Sequence, residues 1–115
     1  MGRTDAGEHA LAAARALGPQ ILAGREEMEA ERRIPQSLVA AMKAAGVFRL
    51  SMPRAMGGPE LTPMAQVRVV EALSMFDASV GWTAMLALHA GYFTAFLDPS
   101  AARSLYADLD AFTGG

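Results

Sequence analysis

The chain has no cysteine, and this absence removes disulfides, thiolate catalysis and thiolate metal ligation together. It fits a reducing compartment, so the cytoplasm is the expected location. Histidine is scarce as well. His9 and His89 stand far apart, with neither an HxxxH nor an HExxH spacing, and no metal site is expected. The 10 basic residues are matched by 12 acidic ones, and no basic stripe interleaves with aromatics as a phosphate-tracking surface requires. Nucleic acid is therefore not an expected partner. Phosphate cradles of the GxGxxG or GxxxxGK[ST] type are missing, and the internal doublet Gly57-Gly58 follows no strand pattern, so it reads as a turn. An export signal needs an uninterrupted apolar run near the start, where Asp5, Glu8 and His9 stand instead. No segment alternates like a strand, and there is no repeat or low-complexity tract.

What remains is helical. At 115 residues one hydrophobic core is the natural expectation, and an apolar content of 52% is high for that size, which leaves a surplus to face a partner domain. Residues 8–33 are rich in Ala, Leu, Glu and Arg, with Leu17, Ile21 and Met28 on one stripe. Gly18-Pro19 should kink this helix or restart it, because proline lacks the amide hydrogen and crowds the preceding turn. The charged run from Arg25 to Arg33 reads as a solvated face, with Glu29 and Arg33 at supporting spacing. A second helix should open at Pro35 and stop at Gly46, burying Leu38, Val39, Met42 and Ala45. Residues 47–61 hold Pro53, Gly57, Gly58 and Pro59 and should form an ordered loop anchored by Val47, Phe48, Leu50 and Met52. Thr62-Pro63 opens a third helix to about Phe76, with Arg68, Glu71 and Ser74 as its polar stripe. Asp77-Ala78-Ser79 is then a short connection, with Ser79 as the expected cap of the next helix.

Residues 80–97 carry no charge and reach the lower length limit of a membrane span. Against a membrane stand Gly81, Thr83, His89, Gly91 and Thr94 within the run and the lack of a Lys/Arg cluster at either end. A central helix, apolar all round because neighbours enclose it, is expected instead. Asp98-Pro99 should end it and cap a short last helix, giving an all-α domain of four to five helices. Chemistry concentrates in this run. Trp82, Met85 and His89 share one face, as do His89, Phe93 and Phe96, so a flat aromatic ligand could be lined from here with Tyr92 close by. The alternative for His89 is a core imidazole bonded to a carbonyl. The eight methionines suit an adaptable pocket or plain gap-filling equally.

Taken in order, these pieces resemble the N-terminal helical domain of the acyl-CoA dehydrogenase superfamily. Ile34-Pro35 with Leu38 and Gly46 looks like that family's second helix, Met52-Pro53 with Gly57-Gly58 and Leu61 like its proline and double-glycine loop, and Val70-Glu71-Ala72-Leu73 with Asp77 and Ser79 like its third helix and turn. The resemblance spans residues 11–108. The run Asp77-Ala78-Ser79-Val80-Gly81-Trp82 followed by His89 is most similar to the flavin-dependent monooxygenase branch.

The resemblance implies a bundle-like all-α domain over residues 8–110, with residues 111–115 beginning a linker to a β-rich middle domain. That domain and a C-terminal helical bundle, or a full-length relative, would be its partners, and the chain alone would be catalytically incomplete. It further implies FAD or FMN in the complete enzyme, probed by a small-molecule substrate, with reduced flavin supplied by a separate reductase. A homo-oligomeric full-length enzyme without membrane attachment is implied too. His89 takes the catalytic position, facing flavin and substrate; Trp82, Met85, Tyr92 and Phe93 line the substrate side. Neither Glu60 nor Glu71 matches the family's glutamate base, which belongs to the C-terminal bundle. A second class of function stays open: a free-standing helical interaction module docking through its surplus apolar surface.

Overall fold

The computed structural model describes the backbone of residues 3–94 and 97–105, and side chains for residues 5–89, 97–101 and 104. Every regular element among the described residues is helical. The first stretch is three consecutive segments, α1 (Arg3–Ala16), α2 (Gly18–Ala23) and α3 (Arg25–Glu31). The expected restart is there: Pro19 lies in the first turn of α2, where its missing amide hydrogen costs no helical bond. The joint stays tight, with the Ile21 amide donating to the Leu17 carbonyl at 2.9 Å. A second break at Gly24 has no proline to announce it, and the Met28 amide still donates across it to the Gly24 carbonyl at 2.9 Å. Leu11, Ala14, Leu17, Ile21 and Met28 form the buried stripe. The pairing of Glu29 with Arg33 is corrected. Arg32 takes a left-handed conformation (φ 55°) and ends α3, so Arg33 is no longer a helix neighbour of Glu29.

Helix α4 (Gln36–Ala44) starts behind Pro35, and Gly46 follows it with φ 79°. Leu38 and Met42 are buried, Val39 and Ala45 partly so. Val47, Phe48, Leu50 and Met52 anchor the following loop in the interior, as their apolar character requires. The loop doubles back on itself: the Leu61 amide donates to the Leu50 carbonyl at 3.0 Å and the Glu60 amide to the Met52 carbonyl at 2.9 Å. A short 3-10 turn (Arg54–Met56) lies at its tip, and Gly57 ends that turn at φ 88°.

Helix α5 (Pro63–Phe76) has the expected bounds, with Thr62 Oγ1 accepting from the Ala65 amide at 3.2 Å. The buried Gln66 is satisfied through Nε2, which donates to the Leu61 carbonyl at 2.8 Å. Helix α6 (Ala78–Thr94) is capped by Asp77 rather than Ser79: Asp77 Oδ1 accepts from the Ser79 and Val80 amides at 2.8 and 3.3 Å. Asp98 caps α7 (Pro99–Leu105) in the same way, accepting from the Ser100 amide at 3.1 Å.

Helix α5 is the centre of the packing, with α1, α2 and α6 all lying against it. Val69 and Leu73 of α5 meet Val80, Ala84 and Ala87 of α6 and the stripe of α1 and α2 in one core. Counting α1 to α3 as one interrupted unit gives five helical units among the described residues. No helix among the described residues is long and apolar enough to cross a membrane. The expectation that α6 is enclosed all round is corrected: Trp82 and His89 are exposed and Met85 and Leu86 only partly buried.

Candidate functional site

At 100° per residue, α6 divides into two opposite rows. Val80, Gly81, Ala84 and Ala87 are buried, with Leu88 partly so, and small residues here let α6 press close to α5. A Cβ at Gly81 would collide with Ser74 Oγ, so only glycine permits this approach. The other row is Trp82, Met85, Leu86 and His89. Trp82 is 59% exposed, although an indole buried on one side is a large stabilising contact. An indole this exposed on a charge-free helix, in one row with the exposed His89, is the feature most in need of a functional reason.

The helix is tied from behind and at one end. Ser51 Oγ donates to the Leu88 carbonyl at 2.7 Å, tying the loop to α6 next to His89. At the N-terminal end Asp77 both caps the helix and pairs with Arg25, Nε to Oδ2 3.4 Å. Trp82 and His89 are two turns apart, about 10 Å along the axis at 1.5 Å per residue, a span suited to a flat bicyclic ligand. The indole carries a stacking face, the Met85 thioether an adaptable contact, and the imidazole a polar ring edge.

Of the residues expected at the site, Trp82, Met85 and His89 thus come together on one face. Phe93 continues that row in the helical register and Tyr92 sits about a quarter-turn off it, but both side chains lie outside the described ones, as does the whole of Phe96. Residues 111–115, expected as linker, are also outside the described residues.

Trp82 has neighbours that its own helix did not announce. It lines an open cleft of about 880 Å³ with Met28, Arg32, Arg33, Ile34, Val39 and the first turns of α6. Reading the sequence helix by helix placed the arginines on a solvated α3 face, since nothing local signals the left-handed turn at Arg32 that carries them to this cleft. A second open cleft, about 600 Å³, brings His9, Lys43 and Arg49 beside Gly57 and Gly58. There the doublet is the turn expected of it: the Gly57 amide donates to the Arg54 carbonyl and the Gly58 amide to the Pro53 carbonyl, so neither is turned to a phosphate. Among the described residues no three His, Asp or Glu side chains group as metal ligands.

These features define an all-helical domain in which α6 packs on α5 through one side and carries the exposed Trp82 and His89 on the other. The chain belongs to the acyl-CoA dehydrogenase N-terminal domain family, whose pattern it matches over residues 5–98. It is similar to the indole-3-acetate monooxygenase of Pseudomonas putida, 35% identical over 69 residues, which are 60% of this chain and 18% of that protein. The indole-3-acetate monooxygenase of Acinetobacter baumannii is 32% identical over 66 residues, 57% of this chain and 17% of that protein. The matched stretch thus spans less than a fifth of either relative's length.

Proposed function

We propose that this chain, over residues 8–110, is the substrate-side wall of a larger flavin-dependent oxidoreductase of the monooxygenase kind, incomplete without its other domains. The observation that carries this reading is the two-sided character of α6: anchored by α5 and Ser51 on one side, it leaves Trp82 and His89 exposed, with Met85 partly buried between them, on the other. Family membership and the monooxygenase activity of both relatives support flavin chemistry, with FAD or FMN supplying oxygen activation when bound. The uncharged row suits a flat aromatic system, whether flavin edge or substrate ring. A β-rich middle domain and a C-terminal helical bundle would cover it and hold most of the flavin contacts.

In this arrangement Trp82 and Met85, with Tyr92 and Phe93 further along α6, shape the substrate side. In this reading His89 would hydrogen-bond the substrate or hold a proton at an imidazole nitrogen. Reduced flavin would come from a separate reductase, in a cytoplasmic homo-oligomer. The test is made in the flavoenzyme that contains this domain, fed reduced flavin and an aromatic substrate. His89→Ala is expected to preserve folding and flavin oxidation but to lower product formed per flavin oxidised by tenfold or more, the usual scale of a lost acid-base or positioning group. Unchanged coupling would remove His89 from the chemistry.

A further inference from the structure

The cleft beside Trp82 combines three things that a single helix could not provide. Its floor is apolar, from buried Met28 and partly buried Ile34 and Val39. One wall is the exposed indole of Trp82. Its rim carries Arg32 and Arg33, both exposed, and no ion pair among the described residues involves either. Glu29 is the one carboxylate in the lining, leaving a net positive rim. Arg32 holds the left-handed conformation at φ 55°, which an L side chain adopts at a cost; the turn it makes is what takes Arg33 off α3. The N-terminus of α6 opens onto the same cleft, but its Ser79 and Val80 amides are already engaged by Asp77. Anion recognition therefore falls to the two guanidinium groups.

We propose that this cleft binds a planar aromatic carboxylate, its ring against Trp82 and the apolar floor and its carboxylate paired with Arg32 and Arg33. A volume of about 880 Å³ open to solvent accommodates one or two fused rings and a short acid arm. Guanidinium groups match carboxylate geometry in forked, charge-assisted hydrogen bonds, while the indole supplies the sequence-independent stacking area. The assignment deepens the proposed function, resting on its reading of Trp82 as a ligand-facing residue, and gives that function a substrate class.

Trp82 is the chain's single tryptophan, so its fluorescence reports this cleft and no other. The full 115-residue chain is titrated with phenylacetate, with phenylacetamide as the neutral analogue and acetate as the ring-free one. Saturable change with phenylacetate is expected, at least about tenfold tighter than with either analogue and weakened by salt. Arg32→Gln and Arg33→Gln should each weaken phenylacetate without changing phenylacetamide, and Glu29→Gln should tighten it; far-UV circular dichroism confirms that each variant is folded. Binding that ignores the charge of ligand and arginines, or no saturable change with a folded chain, overturns the proposal. Because this titration needs no flavin, its failure leaves the His89 coupling test standing, and failure of that test leaves the cleft's binding intact.

Discussion

Gly81 shows what single residues decide here. In an exposed helix, Gly→Ala gains about 1 kcal/mol of propensity, but at this position a Cβ would meet Ser74 Oγ, and overpacking costs about 1–3 kcal/mol. Gly81→Ala is therefore expected to destabilise the chain by about 1–2 kcal/mol in urea unfolding, with Ser74→Ala in the same chain recovering part of the loss. A stabilised Gly81→Ala chain would mean that α5 and α6 are not in this contact. From the sequence Gly81 was an interruption in an apolar run and a member of the family-like run from Asp77 to Trp82, but its packing role was hidden, because a residue's neighbour on another helix leaves no local signal. His89 is similar: its place in the row with Trp82 followed from helical spacing, while its exposure depended on which side of α6 met α5.

Elements whose ends carry their own chemistry were readable. Thr62-Pro63 gives α5 an N-cap and a first-turn proline, and its bounds agree with the spacing; Pro35 and Gly46 do the same for α4. The breaks at Gly24 and Arg32 were not readable, since neither position has a proline and arginine in a left-handed conformation is held there by context. At α6 the expected cap was Ser79, but Asp77 two residues earlier takes that place, its carboxylate accepting from the Ser79 and Val80 amides and also pairing with Arg25. Asp77→Ala should cost about 1–2 kcal/mol in thermal or urea unfolding, through loss of both amide contacts. Asp77→Asn keeps a capping oxygen and loses only a pair whose arginine is largely exposed, so its cost should stay below about 1 kcal/mol. Equal losses in the two variants would shift the weight from the cap to the ion pair.

At the scale of the molecule, the high apolar content was the first sign of surface intended for something else. Part of it is now located. Met64, Val67 and Met75 share the outer face of α5, Met75 at 82% exposure, and Trp82 begins the outer row of α6. The Met75 face of α5 borders a cleft with Arg15 and Arg68, but among the described residues it is the α6 row that joins an exposed imidazole to an arginine-lined cleft, and this combination supports the proposed ligand wall. The all-α class and the family were legible from ordered helix ends and loop glycines. The one-sided packing of α6 was not, because a charge-free helix reads the same whether neighbours enclose it or a ligand is to cover half of it.

Hydroxyl-radical footprinting of the flavoenzyme that contains this domain, with and without flavin and an aromatic carboxylate, tests the wall assignment most directly. Methionine and the indole ring are readily oxidised, so Met85 and Trp82 report whether the outer face of α6 is turned into the site. The expected result is protection of both residues when flavin and substrate are added, with Leu22, exposed on α2, labelled equally throughout. Labelling of Trp82 and Met85 that neither flavin nor substrate changes would contradict the assignment.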